Sequence, residues 1–317
     1  MALVLHGAGH HVALWEYDVE QAQRVQSLRV NERFLPGYRI PEDIAITSDL
    51  REALHGTELL LLAVPVQSCC GVLRSVGSLR DDVLIVSLLK GLEQGTERRV
   101  SEICSAELPG FDSNSYAVIS GPTIAPEVAE GKPTSAVVAS ISEDTAQRIQ
   151  QEFSTATLRL YRSSDVIGVE LAGALKNVIA LAAGICDGMN LGFNSKGALI
   201  TRGLAEIVRL GTTLGGHRQT FSGLSGLGDL VTTCTSPQSR NRIVGERIGR
   251  GESPQAVLSS MVMVAEGVWT ARAVRSLARR HGLEMPITDA VCRVLEEEVS
   301  PQQAVSQLML RSLKAED

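Results

Sequence analysis

The chain has 317 residues, enough for two domains of ordinary size. Hydrophobic residues make up 44% and charged residues 21%, so packed cores under a solvated surface are expected. A net charge of −6 and only 3% aromatic residues argue against a general nucleic-acid or membrane-surface binder and against base-stacking platforms.

Residues 1–5 are apolar but too few, and without a basic flank, for a secretion signal; no run is expected to reach membrane-spanning length. The pair Gly7 and Gly9 imitates the start of a dinucleotide loop. However, position 12 is Val where a third glycine would stand, and the residues that follow are strand-like. The better reading makes residues 1–6 the tail of a helix, residues 7–9 its C-cap turn, and residues 10–15 a strand. Residues 19–30 read as a polar helix, 33–37 (RFLPG) as a turn, and 44–47 as a short strand before a helix capped by Ser48 and Asp49. Apolar runs at 58–64, 82–87, 117–120 and 134–139 alternate with amphipathic helices, the pattern of βαβ units on a mainly parallel sheet. Ligands on such a sheet sit beyond the C-terminal strand ends, where Pro65, Lys90 and the turn Gly121, Pro122, Thr123 fall.

Beyond residue 165 the strand signals stop and the chain becomes helical. Residues 169–209 read as two helices joined at 190–196. On the first, Val169, Gly173, Lys176, Ala180, Ala183 and Asp187 share a face that is small and apolar except for one cation and one anion. An ammonium among Gly and Ala either snorkels to solvent or is buried for use. The expected architecture is therefore α/β followed by all-α: a Rossmann-like parallel-sheet domain over 1–164 and an all-helical substrate domain over 165–317. Cys69, Cys70, Cys104, Cys186, Cys234 and Cys292 are scattered without C-x-x-C, so free thiols in a reducing compartment are expected and no disulfide framework or zinc site. The six histidines show no metal spacing, and no metal is expected.

Five ordered signatures carry a resemblance: SLLKGLE at 87–93, SGPTIAPEVAEGKP at 120–133, residues 173–202 with ALKN and ITRG, GLSGLGDLVTTCTSPQSRNR at 223–242, and VAEGVWT at 264–270. Through them the chain resembles the bacterial-type NAD(P)-dependent glycerol-3-phosphate dehydrogenases over nearly its whole length. The resemblance implies hydride transfer between dihydroxyacetone phosphate and sn-glycerol 3-phosphate, supplying the glycerophospholipid backbone. It also implies NAD or NADP as cofactor, a cytoplasmic location and a homodimer, with no nucleic-acid partner and no membrane insertion.

Residue by residue, the resemblance makes Lys176 the proton-transferring lysine and Lys90 a second active-site cation contacting substrate and cofactor. Asp229 balances that cluster. Ser239, Arg240 and Asn241 contact the substrate phosphate, Arg240 also the cofactor. Gly121 and Thr123 are further substrate contacts; Ala125, Val264 and Glu266 are cofactor-side positions. Without the resemblance, Asp229 reads equally as a turn residue, the Ser239 triplet as a solvated helix start, and Glu266 as a helix-start carboxylate.

The chain departs from the family pattern at its start. The first strand and the glycine-rich phosphate loop ahead of it are absent from the sequence, so weakened cofactor binding and unpaired neighbouring strands are expected. Glu16, Tyr17 and Asp18 stand where many members carry a basic residue. An acid there suits the 2′-hydroxyl of NAD better than a 2′-phosphate. Two other functions remain open from sequence: a β-hydroxyacid-type dehydrogenase, and a non-catalytic glycerol-phosphate-binding protein.

Overall fold

Helix α1 (Ala2–Gly7) opens the chain and ends in a turn closed by His10 N donating to Leu5 O at 3.1 Å, with Gly9 at φ 91°. Strand β1 (Ala13–Trp15) follows, then helix α2 (Val19–Leu28), whose N-cap Asp18 accepts the amides of Glu20 and Gln21. The remaining elements of this part are β2 (Val30–Asn31), β3 (Leu35–Arg39), β4 (Ala45–Thr47), α3 (Leu50–Leu54), β5 (Leu59–Leu62), α4 (Val66–Val76), β6 (Leu84–Ser87), α5 (Val100–Glu107), β7 (Tyr116–Ser120), α6 (Ala125–Ala129), β8 (Thr134–Ala139), α7 (Glu143–Phe153) and β9 (Leu158–Ser163). The computed structural model describes residues 1–261, 265–313 and 315–316. These divide into two units, Met1–Leu89 with Arg99–Glu170, and Lys90–Arg98 with Leu171–Asp317.

In the first unit β5, β6 and β7 run parallel, β8 pairs antiparallel with β7, and β9 runs parallel to β8. Side chains alternate across this sheet. Ile85, Tyr116 and Val118 pack against Cys69, Leu73, Ile103 and Cys104 of α4 and α5. Leu84, Val86, Ala117 and Ile119 face the other way, onto Ile149 and Phe153 of α7. Strands β1 and β4 form a separate parallel pair with no ladder to β5 among the described residues.

Two sequence readings need correction here. Residues 33–37 are not all turn: only Arg33 and Phe34 connect, and β3 starts at Leu35 and pairs antiparallel with β2. Pro36 is tolerated because β3 has one ladder partner and lies at an edge. Strand β9 was hidden by charge: Leu158 and Leu160 are buried while Arg159, Tyr161 and Arg162 face solvent.

The second unit is helical. Its elements are α8 (Val166–Gly188), which starts in the first unit, α9 (Gly192–Thr213), α10 (Arg218–Ser222), α11 (Asp229–Thr235), α12 (Arg240–Gly249), α13 (Pro254–Ser259), α14 (Glu266–Arg280), α15 (Pro286–Leu295) and α16 (Pro301–Met309). The α8–α9 junction is shorter than the sequence implied. Asn190 turns the chain in the left-handed region at φ 55°, and residues 192–196 are already helical, with Asn194 and Ser195 on a solvent face. Helix α8 also corrects the expectation about spanning length. It is long and apolar enough by composition to cross a membrane, yet 94% of that window is buried within the protein. Its apolar surface is therefore spent on packing.

Candidate active site

Lys176 lies midway along α8 and is 6% exposed. It does not snorkel. Its Nζ donates to Asp229 Oδ1 at 2.7 Å and to Thr233 Oγ1 at 2.6 Å, and Thr233 donates onward to Asp229 Oδ1 at 3.1 Å. The other oxygen, Asp229 Oδ2, takes Lys90 Nζ at 2.6 Å. Two ammonium groups thus share one carboxylate, leaving one positive charge uncompensated within the trio.

Local structure explains how Asp229 gets there. The preceding segment, Leu224–Gly228, is a π-helical turn, and Gly226 lies against the Phe221 backbone so closely that a Cβ would sit 2.1 Å from Phe221 O. Asp229 then begins α11 instead of occupying an exposed turn, and Thr233 falls one helical turn later on the same face. Asp229 is 2% exposed.

Burial governs the electrostatics. Desolvation is the largest influence on Lys176; Asp229 opposes it, the Lys90 charge reinforces it, and the balance leaves the amine at about 8. Burial by itself would raise Asp229, but Lys176 and Lys90 together hold its carboxyl below the ordinary aspartate value. Lysine at 176 can therefore exchange a proton near neutral pH, next to a carboxylate that stays ionised.

A second network ties the surrounding helices together. Asn177 Nδ2 donates to Lys90 O at 3.0 Å, Asn241 Nδ2 donates to Asn177 Oδ1 at 2.9 Å, and Gly267 N donates to Asn241 Oδ1 at 2.9 Å. Only glycine fits at 267, where a Cβ would meet Asn177 O at 2.6 Å. Ser239 does start a helix, capping α12 through Arg242 N, but it is buried, as is Asn241. Arg240 between them is solvent-exposed. Protein packed around its guanidinium lowers its pKa while the Glu266 charge raises it, so Glu266, at the first turn of α14, lies within electrostatic reach.

Lys90, Lys176, Asp229, Ser239, Arg240, Asn241 and Glu266 thus all belong to the second unit, the first three in direct contact. Gly121, Thr123 and Ala125 belong to the first unit, at the end of β7 and the start of α6. Gly121 has φ 153° and a Cβ there would lie 2.9 Å from Ala136 Cα, so the β7 exit can approach β8 only without a side chain. Val264 lies outside the described residues. Thr233 and Asn177 were not singled out from sequence. The i, i+4 spacing of Thr233 from Asp229 was the available signal.

A cavity of about 360 Å³ beside the β1 exit is lined by Asp18, Glu20, Gln21, Arg24, Glu32 and Arg33. No group of three or more His, Cys, Asp or Glu residues among those described is arranged to hold a metal.

Comparison with known proteins places the chain in a family. The family described as NAD-dependent glycerol-3-phosphate dehydrogenase N-terminus matches residues 1–146, and the corresponding C-terminus matches residues 165–306. The glycerol-3-phosphate dehydrogenase [NAD(P)+] of Geobacter sulfurreducens is 46% identical over 317 residues, spanning 100% of this chain and 95% of that protein. Its counterpart from Streptomyces griseus is 46% identical over 316 residues, 99% of this chain and 94% of that one. A crystal structure of glycerol-3-phosphate dehydrogenase from Coxiella burnetii superposes with a TM-score of 0.91 at 39% identity, covering 98% of this chain and 94% of that one. With two family halves matched in order and full-length relatives well above 30% identity, the chain belongs to the NAD(P)-dependent glycerol-3-phosphate dehydrogenase family.

Proposed function

We propose that this enzyme interconverts dihydroxyacetone phosphate and sn-glycerol 3-phosphate with Lys176 as its acid/base, and that the trio Lys90, Asp229, Lys176 is its reacting centre. The observation that carries this is the buried Lys176 ammonium held at 2.7 Å by Asp229, with its pKa brought down to about 8. In alcohol oxidation neutral Lys176 accepts the C2 hydroxyl proton, and Asp229 stabilises the ammonium that forms. In ketone reduction the protonated amine returns it. Lys90 adds positive charge where the substrate oxygen becomes alkoxide-like, and Thr233 fixes the direction of the Lys176 amine. The nicotinamide, when bound, takes or supplies the hydride at C2.

The substrate phosphate falls to Arg240, with Ser239 and Asn241 at the same helix start; Gly121 and Thr123 are read separately as substrate contacts of the first unit. A guanidinium grips phosphate oxygens bidentately. Lys90, Ala125, Arg240, Val264 and Glu266 are read as cofactor-side groups. The donor set at the β1 exit suits a dinucleotide's ribose: Asp18 is fixed there by two α2 amides, and the cavity beside it carries three carboxylates against two arginines. That balance favours NAD over NADP, to be checked as the ratio of kcat/KM for the two cofactors; a strong NADPH preference would contradict it.

A buried lysine in a helical domain also suits a β-hydroxyacid dehydrogenase, but the start of α12 is equipped for phosphate. Replacing Lys176 by Met tests the assignment. Turnover is expected to fall by roughly 10² to 10⁴, while glycerol 3-phosphate still binds calorimetrically. Near-normal turnover by this variant would remove Lys176 from the chemistry, whereas a purely binding function requires that the wild type itself show no NAD(P)-linked turnover. A cytoplasmic homodimer is the accompanying reading. Phe193, Met309, Leu310 and Leu313 are exposed apolar side chains that a second copy would cover, and sedimentation mass decides it.

A further inference from the structure

The segment Lys90–Arg98 belongs to the helical unit, and its conformation decides where the Lys90 amine lies. Two contacts fix Lys90 itself: its carbonyl accepts Asn177 Nδ2 and its ammonium meets Asp229. The remaining residues fold back on Glu93. The Glu93 carboxylate is buried and takes the Arg98 guanidinium through Nε and Nη2, both at 2.8 Å, together with the Thr96 hydroxyl. Main-chain bonds close the same loop: Glu93 N donates to Arg98 O at 3.0 Å and Glu97 N donates to Glu93 O at 2.9 Å. Gly95 at φ 84° and Glu97 at φ 61° both occupy the left-handed region, which for Glu97 is unfavourable backbone that the closed loop must hold in place. Arg280 of α14 pairs with Glu97 at the far end.

A buried carboxylate is costly unless it is paired and hydrogen-bonded. The Glu93 carboxylate bonds to Thr96 and Arg98 inside the loop, and the reaction proposed above gives it no role. We infer that Glu93 is a positioning residue: by clasping Thr96 and Arg98 it holds the loop in the conformation that presents the Lys90 ammonium to Asp229 beside Lys176. This rests on the reading of Lys176 as the acid/base.

The inference has a consequence that loss of stability alone does not produce. The groups facing the Lys176 amine are Asp229, Thr233 and Cys234 from α11 and Lys90 from this loop. Freeing Lys90 removes a neighbouring cation and leaves Asp229 to Lys176 alone. Both changes favour the protonated amine, so Lys176 holds its proton to higher pH.

The test is kcat/KM for glycerol 3-phosphate oxidation against pH, with thermal unfolding in parallel, for wild type, Glu93→Gln and Arg98→Lys. Glu93→Gln is expected to move the acid limb upward by roughly half a unit or more, and Arg98→Lys, which keeps charge but loses the fork, by less. A merely structural role would lower activity by one factor at every pH and leave the limb in place. An unmoved limb in folded Glu93→Gln protein overturns the inference; should that variant fail to fold, an unmoved limb in Arg98→Lys overturns it instead. Wild-type protein without NAD(P)-linked turnover would sink the functional reading and the clasp with it, whereas wild-type turnover with unmoved limbs sinks the clasp alone.

Discussion

At the scale of single residues, the site depends on how few groups decide the state of one amine. Lys176 is desolvated by α8 and its neighbours, attracted by Asp229 and repelled by Lys90, and the outcome is a lysine near 8 instead of 10.5. In the proposed phosphate site Arg240 acts through geometry more than through charge. Replacing it by Lys keeps the charge but loses the planar fork, so KM for dihydroxyacetone phosphate should rise roughly tenfold or more while kcat changes far less. An unchanged KM would place the phosphate elsewhere. Lys176, Asp229 and Arg240 were legible in the sequence because each sits in a long signature. Thr233 and Asn177 were not, because a Thr on a helix and an amide beside a lysine have many ordinary uses. Their roles follow from distances of 2.6 Å and 3.0 Å that no spacing rule supplies.

Among the elements, the contact between α8 and α12 positions the lysine. It is made by glycines whose missing side chains let backbones touch: a Cβ on Gly245 would lie 2.0 Å from Leu181 O, and one on Gly184 would lie 2.0 Å from Arg242 O. Gly245→Ala should therefore destabilise the protein by about 1–3 kcal/mol and weaken phosphate binding at the start of α12. Gly197→Ala, also helical but with nothing within 4 Å, should be neutral or slightly stabilising. Equal thermal shifts for the two would contradict the packing argument. Strands β5, β6 and β8 were legible as apolar runs because both faces of the sheet are covered. Strand β9 was not, since its arginines face solvent and break the run. The helical stretch 192–196 was obscured by Gly192 and by Asn194, Ser195 and Lys196, polar residues on an exposed helix start and not a loop.

For the whole molecule, a two-part plan was readable from the point where strand signals stop, and the two family matches fall on either side of residues 147–164. The loop bearing Lys90 was less legible. It follows β6 in sequence but groups with the helices, an association set by long-range contacts to Asn177, Asp229 and Arg280. The proposed division of labour is nonetheless simple: in it the helical unit supplies the proton and the charge, and the cofactor supplies the hydride. The most direct measurement is the pH dependence of kcat/KM for glycerol 3-phosphate oxidation. Because only neutral Lys176 accepts the hydroxyl proton, the rate should climb with pH and level off above about 8, with the opposite limb for dihydroxyacetone phosphate reduction. A profile that is flat between about pH 6 and about pH 10, or that rises only near the value of an ordinary exposed lysine, would contradict the account.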